Sequence, residues 1–177
     1  MTQPATPLTG AQILDLLREL ADRLPARRPH PVLILVGGAL LATAGLRDTT
    51  QDADSVRRLT PEVQAAADDV ARSHDLNPSW LNAAAAPYAP VTLREADCSV
   101  LLDHTHLRVL GAPLQQVFLM KMFANRAVDL PDLAALWPVC GYASVDEAVS
   151  AFYVGYPLEN HDPYLPQWLA DVTGQRT

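Results

Sequence analysis

The apolar positions of the chain fall into a few periodic blocks, and the blocks predict the elements. Ile13, Leu16, Leu17, Leu20 and Leu24 recur at helical spacing. Thr9 and Gln12 stand ahead of them at the spacing of a capping box, and the stretch from Pro25 to Pro31 stops the helix. Residues 1–7 read as a loose polar arm. Val32-Leu33-Ile34-Leu35-Val36 is an unbroken, largely β-branched run, the pattern of a strand buried on both faces. Gly37-Gly38 ends it, and Ala39 to Leu46 predicts a short apolar helix. Arg47 to Ser55 is polar with a weak strand signal. Thr60 and Pro61 then open a helix to about Ser73, as cap and first helical residue.

Beyond that helix the pattern alternates between turns and short apolar runs. Asn77 to Asn82 predicts a turn that anchors Trp80, and residues 83–90 a loop rich in alanine and proline. Three strands are expected at 91–93, 98–102 and 106–110, the last two as a hairpin over Asp103-His104-Thr105. Gly111-Ala112-Pro113 breaks the strand pattern. Helices are expected over 113–125, 129–138, 144–153 and 164–172, the last closed by Gly174. The result is an α/β chain: a small mixed sheet with flanking helices in 1–112, and a helical part over 113–177 packed on the same domain.

Composition narrows the reading a little. Of the 177 residues 49% are hydrophobic and 19% charged, enough apolar matter for a core. A formal net charge of −7 argues against broad, salt-driven nucleic-acid binding, while leaving room for a local basic groove. Two cysteines, Cys98 and Cys140, do not make a disulfide framework, and Cys98 reads as a small core residue. No leader pattern and no apolar run near 18 residues is visible, so cytoplasmic residence is expected, with no membrane contact. The single lysine, Lys121, stands out against twelve arginines.

Two pieces of the chain suggest chemistry. A strand that turns through Gly37 and Gly38 into a helix aims backbone N–H groups at an anion, and glycine permits close approach. Asp52 and Asp54, two apart, would share one face of a strand, where two carboxylates repel unless a cation lies between them. Plainer accounts exist for both: a simple turn and a solvated acidic loop. Lys121 is equally well a solvated helix residue, and Arg126, Asp129 and Asp132 surface ion pairs worth under about 1 kcal/mol. Trp80 reads as core. His104 and His106 flank the hairpin tip and read as a solvated turn, since no third ligand lies nearby.

The stretch VGGALLATAGLRDTTQDAD (residues 36–54) resembles the nucleotidyltransferase superfamily with the polymerase β-like core, in particular bacterial relatives of abortive-infection toxins. There a Gly-Gly or Gly-Ser turn, a short helix and a Ser/Thr-rich approach lead to Asp-x-Asp. KMFANRAVDLPDLAAL (121–136) resembles a helical segment of the same relatives, with Lys121, Arg126, Asp129 and Asp132 in matching places. Trp80-Leu81-Asn82 is a third, weaker likeness.

The resemblance implies the following expectations. Gly37 and Gly38 hold a nucleoside triphosphate, with Arg47, Thr49 and Thr50 nearby. Asp52 and Asp54 bind magnesium, and Lys121 reaches a phosphate. The activity is transfer of a nucleotidyl group to an RNA or protein acceptor, in the setting of toxin–antitoxin pairs or phage defence. A partner protein or a second copy is left open. The family adds a third carboxylate from a later strand, for which Asp97 and Asp103 are the candidates. The alternative is a catalytically eroded relative that binds a nucleotide or a protein.

Overall fold

Residues 6–175 are described in the computed structural model, and they divide into two compact units. The first takes the chain as far as Pro87, together with Cys98–Ala112. The second takes Tyr88–Asp97 and everything from Pro113 onward. The whole is a mixed α/β structure with seven α-helices and one five-stranded sheet among the described residues.

The first unit opens with α1 (Gly10–Arg23). Its capping box forms as the spacing requires: Gln12 N donates to Thr9 Oγ1 at 3.3 Å, and Thr9 N donates to Gln12 Oε1 at 2.8 Å. The apolar stripe Ile13, Leu16, Leu17 and Leu20 is buried. Gly10 sits where α1 meets the end of α2 (Gly37–Thr43). A methyl group on Gly10 would stand 2.4 Å from the Ala42 carbonyl oxygen, so only glycine lets the two backbones come this close.

β1 (Val32–Val36) lies at the centre of the sheet, as an all-apolar strand must. Its neighbours are β2 (Ala53–Ser55), antiparallel, and β5 (Arg108–Gly111), parallel. β3 (Leu81–Asn82) extends the β2 side and β4 (Ser99–Asp103) forms the other edge, giving the order β3-β2-β1-β5-β4. α3 (Pro61–His74) starts on Thr60, whose hydroxyl accepts from Val63 N, and ends at Asp75 in the left-handed region. Trp80 is buried and its indole N–H donates to Ala67 O at 3.0 Å. The aromatic anchor expected there is core.

Three local expectations shift. Leu81–Asn82 is a strand rather than a turn, because Ala53 N donates to Trp80 O and draws the segment alongside β2. The hairpin strands start one and two residues later than expected, at Ser99 and Arg108, with His104 and Leu107 closing the turn. Val91–Leu93 is no strand: Leu93 N turns back to Pro90 O, and Thr92 bonds Gln116 at 2.8 Å in the second unit. A three-residue Val-Thr-Leu run without a partner edge cannot sustain a ladder.

The second unit is helical, with α4 (Leu114–Ala124), α5 (Leu130–Leu136), α6 (Val145–Gly155) and α7 (Leu165–Thr173). Asn125 and Gly174 adopt left-handed caps, and the Ser144 hydroxyl accepts from Glu147 N at the start of α6. An aromatic cluster fills this unit. Phe123 and Tyr156 stack at 4.3 Å, and the Tyr156 hydroxyl donates to Tyr88 O at 2.7 Å. Burial pushes the Tyr156 phenol well above its ordinary range and the Tyr142 phenol up to about 12.

Candidate functional site

The register of β1 and β2 brings the glycine corner and the acidic segment together. Val36 lies opposite Asp54, and α2 begins at Gly37 with no residue between strand and helix. Gly37 has φ +61°, the left-handed value that lets the chain turn this sharply. A methyl group there would stand 3.2 Å from Asp54 Oδ2. One on Gly38 would stand 2.5 Å from Thr50 Oγ1 and 3.4 Å from Arg47 Nη1. The two glycines thus admit a carboxylate, a hydroxyl and a guanidinium to one corner. At Val36, ahead of α2, no side chain caps the helix.

The segment feeding the corner is held from several sides. Thr50 pairs with Leu8 in a two-way bridge, N to O at 2.7 and 2.9 Å. The Thr50 hydroxyl donates to Asp52 O at 3.2 Å, and Arg47 Nε donates to Thr49 O at 2.8 Å. Thr49 therefore takes part through its carbonyl. Ala53 and Ser55 are fully buried, and Ser55 Oγ accepts from Ile34 N and Arg57 N. Strand propensity here is weak, and these side-chain and backbone bonds supply what propensity lacks. Asp52 and Asp54 alternate with the buried positions and stay half-exposed.

The magnesium that the resemblance implies would meet a donor set of two carboxylates, Asp52 and Asp54. Magnesium is usually held by one or two carboxylates, with waters and substrate phosphates filling the rest of its shell. Asp52 and Asp54 suit an ion that arrives with a nucleotide. A resident all-protein cage is a different matter: among the described residues no three His, Cys, Asp or Glu side chains are grouped to hold a metal. Asp103 does not complete the corner. It pairs with Arg108, which lies opposite Val32, whereas the corner lies at Val36, about 13 Å along the strand. Asp97 belongs to the second unit and pairs with Arg94 at 2.8 Å.

Lys121 calls for a correction. It lies on α4 in the second unit, and its side chain is 7% exposed. Its ammonium sits 2.7 Å from Asp129 Oδ1 and 2.7 Å from Asp132 Oδ2. Two of its three donors are taken, so it is neither a solvated residue nor a cation held out to a phosphate. Arg126 adds a second contact to Asp129, 2.7 Å from Nε to Oδ2. Asp129 and Asp132 are buried as well, so the surface ion pairs expected for them are a buried network. Spacings of eight and eleven residues from the lysine cross a helix end, which is why helix periodicity does not reveal the network.

Burial acts to raise the Asp129 carboxyl, but hydrogen bonds and charge from Arg126 and Lys121 outweigh it and hold the group below the ordinary carboxylate range. A depressed carboxylate stabilises the fold above its unfolded value, near pH 4, and that stabilisation is lost as pH falls through the folded value. Stability of the protein is therefore expected to drop below pH 4. In urea unfolding at pH 6 and pH 3, Asp129→Asn should show a smaller drop than wild type. An equal drop in both would remove Asp129 as its source.

The hairpin histidines are half-buried rather than solvated. The His104 and His106 rings meet edge to face at 5.5 Å. His104 Nδ1 accepts from His106 N, which leaves Nε2–H to face Asp22 at 3.2 Å. Cys98 is half-buried, and Cys140 is buried, with burial raising its thiol. No helix among the described residues is long and apolar enough to cross a membrane. Comparison of the chain with protein-family models, curated proteins and solved structures gives no match.

Proposed function

We propose that this chain is a nucleotidyltransferase-like protein whose Gly37–Gly38 corner takes the phosphates of a nucleoside triphosphate. One observation carries the reading: the Asp54 carboxylate, Thr50 hydroxyl and Arg47 guanidinium all converge on the two glycines. A guanidinium and a hydroxyl suit phosphate oxygens, and carboxylates suit the magnesium that accompanies them. Bound with the nucleotide, magnesium at Asp52 and Asp54 supplies charge neutralisation on the phosphates. In the reaction an acceptor hydroxyl attacks the α-phosphorus. The new P–O bond forms as the bond to the β-phosphate breaks, pyrophosphate leaves, and the acceptor proton passes to water. RNA or protein is the acceptor. A cytoplasmic setting and a role in a toxin–antitoxin or phage-defence pair belong to the same reading.

A second reading has its own support. β5, the strand beside β1, carries Arg108, Val109, Leu110 and Gly111 and no carboxylate. That favours an eroded relative which binds nucleotide, or a partner protein, without turnover.

Incubation with magnesium and each labelled nucleoside triphosphate, with and without total RNA, separates the two. Wild type is compared with the Asp52→Asn, Asp54→Asn double variant. Label transfer by wild type alone supports the enzyme. Binding without transfer, weakened about tenfold in the variant (about 1.4 kcal/mol), supports the binding module. Neither binding nor transfer by wild type ends the enzymatic reading and the nucleotide-binding form of the second.

A further inference from the structure

The chain is acidic overall, yet its arginines are not spread evenly. Three segments meet at the end of the sheet where β1 begins. Residues 24–31 lead into β1. Residues 56–60 continue β2 antiparallel to it, with Val56 N donating to Ile34 O at 3.0 Å. Residues 103–108 hold the hairpin turn, with Arg108 opposite Val32 and its N–H on Pro31 O at 3.0 Å. Together they carry Arg27, Arg28, Arg57, Arg58 and Arg108 against one carboxylate, Asp103. All five arginines are exposed. Two further carboxylates reach in: Glu62 pairs with Arg27 at 2.9 Å, and Asp22 faces His104. The rim keeps an excess of positive charge in a chain of net −7.

We infer that this rim is a docking surface for a single-stranded nucleic acid, held by its phosphate chain on Arg28, Arg58 and Arg108. Charge complementarity selects a polyanion, and guanidinium groups fork onto phosphate oxygens. The rim crosses two strand spacings, about 10 Å, which matches one phosphate chain better than a duplex whose major groove alone is about 12 Å wide. Half-buried imidazoles stand among the arginines: His30, His104 and His106 lie on the same segments, and the buried Nδ1 atoms of His30 and His106 have no hydrogen-bond partner. Bases stack on imidazole and guanidinium planes, and a single-stranded nucleic acid brings one with every phosphate, which an acidic side-chain run or a phospholipid surface does not. The surface is separate from the glycine corner, at the other end of β1. It rests on the proposed function only in making this strand the acceptor; binding itself is measured without nucleotide, so the two can fail independently.

The test is fluorescence anisotropy of the full chain with labelled 12-mer oligouridylate and oligothymidylate across a salt series. Polyglutamate of matching charge and vesicles containing an anionic lipid run alongside. Wild type should bind oligonucleotide with strong salt dependence, and a preference for either one names RNA or DNA. The triple variant Arg28→Gln, Arg58→Gln, Arg108→Gln should lose at least tenfold in affinity. Its log–log salt slope should shrink by about 2, from about 0.7 per lost phosphate contact. Its circular dichroism and nucleoside triphosphate binding should be unchanged. Three outcomes overturn the inference: no oligonucleotide binding by wild type, equal binding by a folded triple variant, or equally tight binding of polyglutamate or vesicles.

Discussion

Replacing Lys121 with alanine is expected to cost about 3–5 kcal/mol of stability, because it leaves two buried carboxylates without their shared cation. Arg126 still reaches Asp129, but its own side chain is 66% exposed and cannot replace a buried ammonium. At about 2–4 °C per kcal/mol for a chain of this size, the melting temperature should fall by roughly 10 °C. A second variant tests the cause. When a whole buried charged group is replaced by apolar residues of similar volume, stability is often kept. Lys121→Met with Asp129→Leu and Asp132→Leu should therefore recover most of the loss. Urea unfolding of both variants decides the matter. A cost under about 1 kcal/mol for Lys121→Ala would mean that the network contributes no more than a surface pair.

Gly10→Ala should be the next most damaging change. The added methyl would meet the Ala42 carbonyl oxygen at 2.4 Å, the Ala42 carbonyl carbon at 2.6 Å and Thr43 Cα at 2.7 Å, all of them backbone. A side chain could swing aside, but a helix backbone has to translate. Overpacking of this kind costs about 1–3 kcal/mol and at times more, and the upper end applies here. Alanine's advantage in a helix, about 1 kcal/mol, is too small to offset it. Gly45 gives the contrast. It has φ +71° with nothing within 4 Å of an added methyl, so Gly45→Ala carries only the left-handed strain of about 1–2 kcal/mol. A Gly10→Ala melting point at or above wild type would show that α1 and α2 are not in close backbone contact.

What could be read from the sequence follows from how local each signal is. The capping box at Thr9, the apolar run of β1, the Thr60-Pro61 helix start and the helices after Pro113 are set by neighbours within a few residues, and they appear where expected. β2 and β3 have two or three residues each and exist only through pairing, β2 with β1 and β3 with β2. No local preference could announce them. The meeting of Gly37 and Gly38 with Asp54 was expected from the family resemblance of residues 36–54 rather than from local pattern, since the pairing of β1 with β2 produces it. The burial of Lys121 was not, since it depends on packing across a helix boundary. The arginine rim was hidden for a related reason: its five members come from three separate segments, and only the register of β1, β2 and β5 assembles them.

The bridge between Leu8 and Thr50 gives the residues just ahead of α1 a say in the glycine corner. Thr50 lends its side chain to Gly38 while its backbone leans on a segment forty-two positions upstream. Anything that tugs on that upstream segment, such as a protease cut before Thr9 or a partner that grips residues 6–8, would loosen the wall of the corner without touching any residue that lines it.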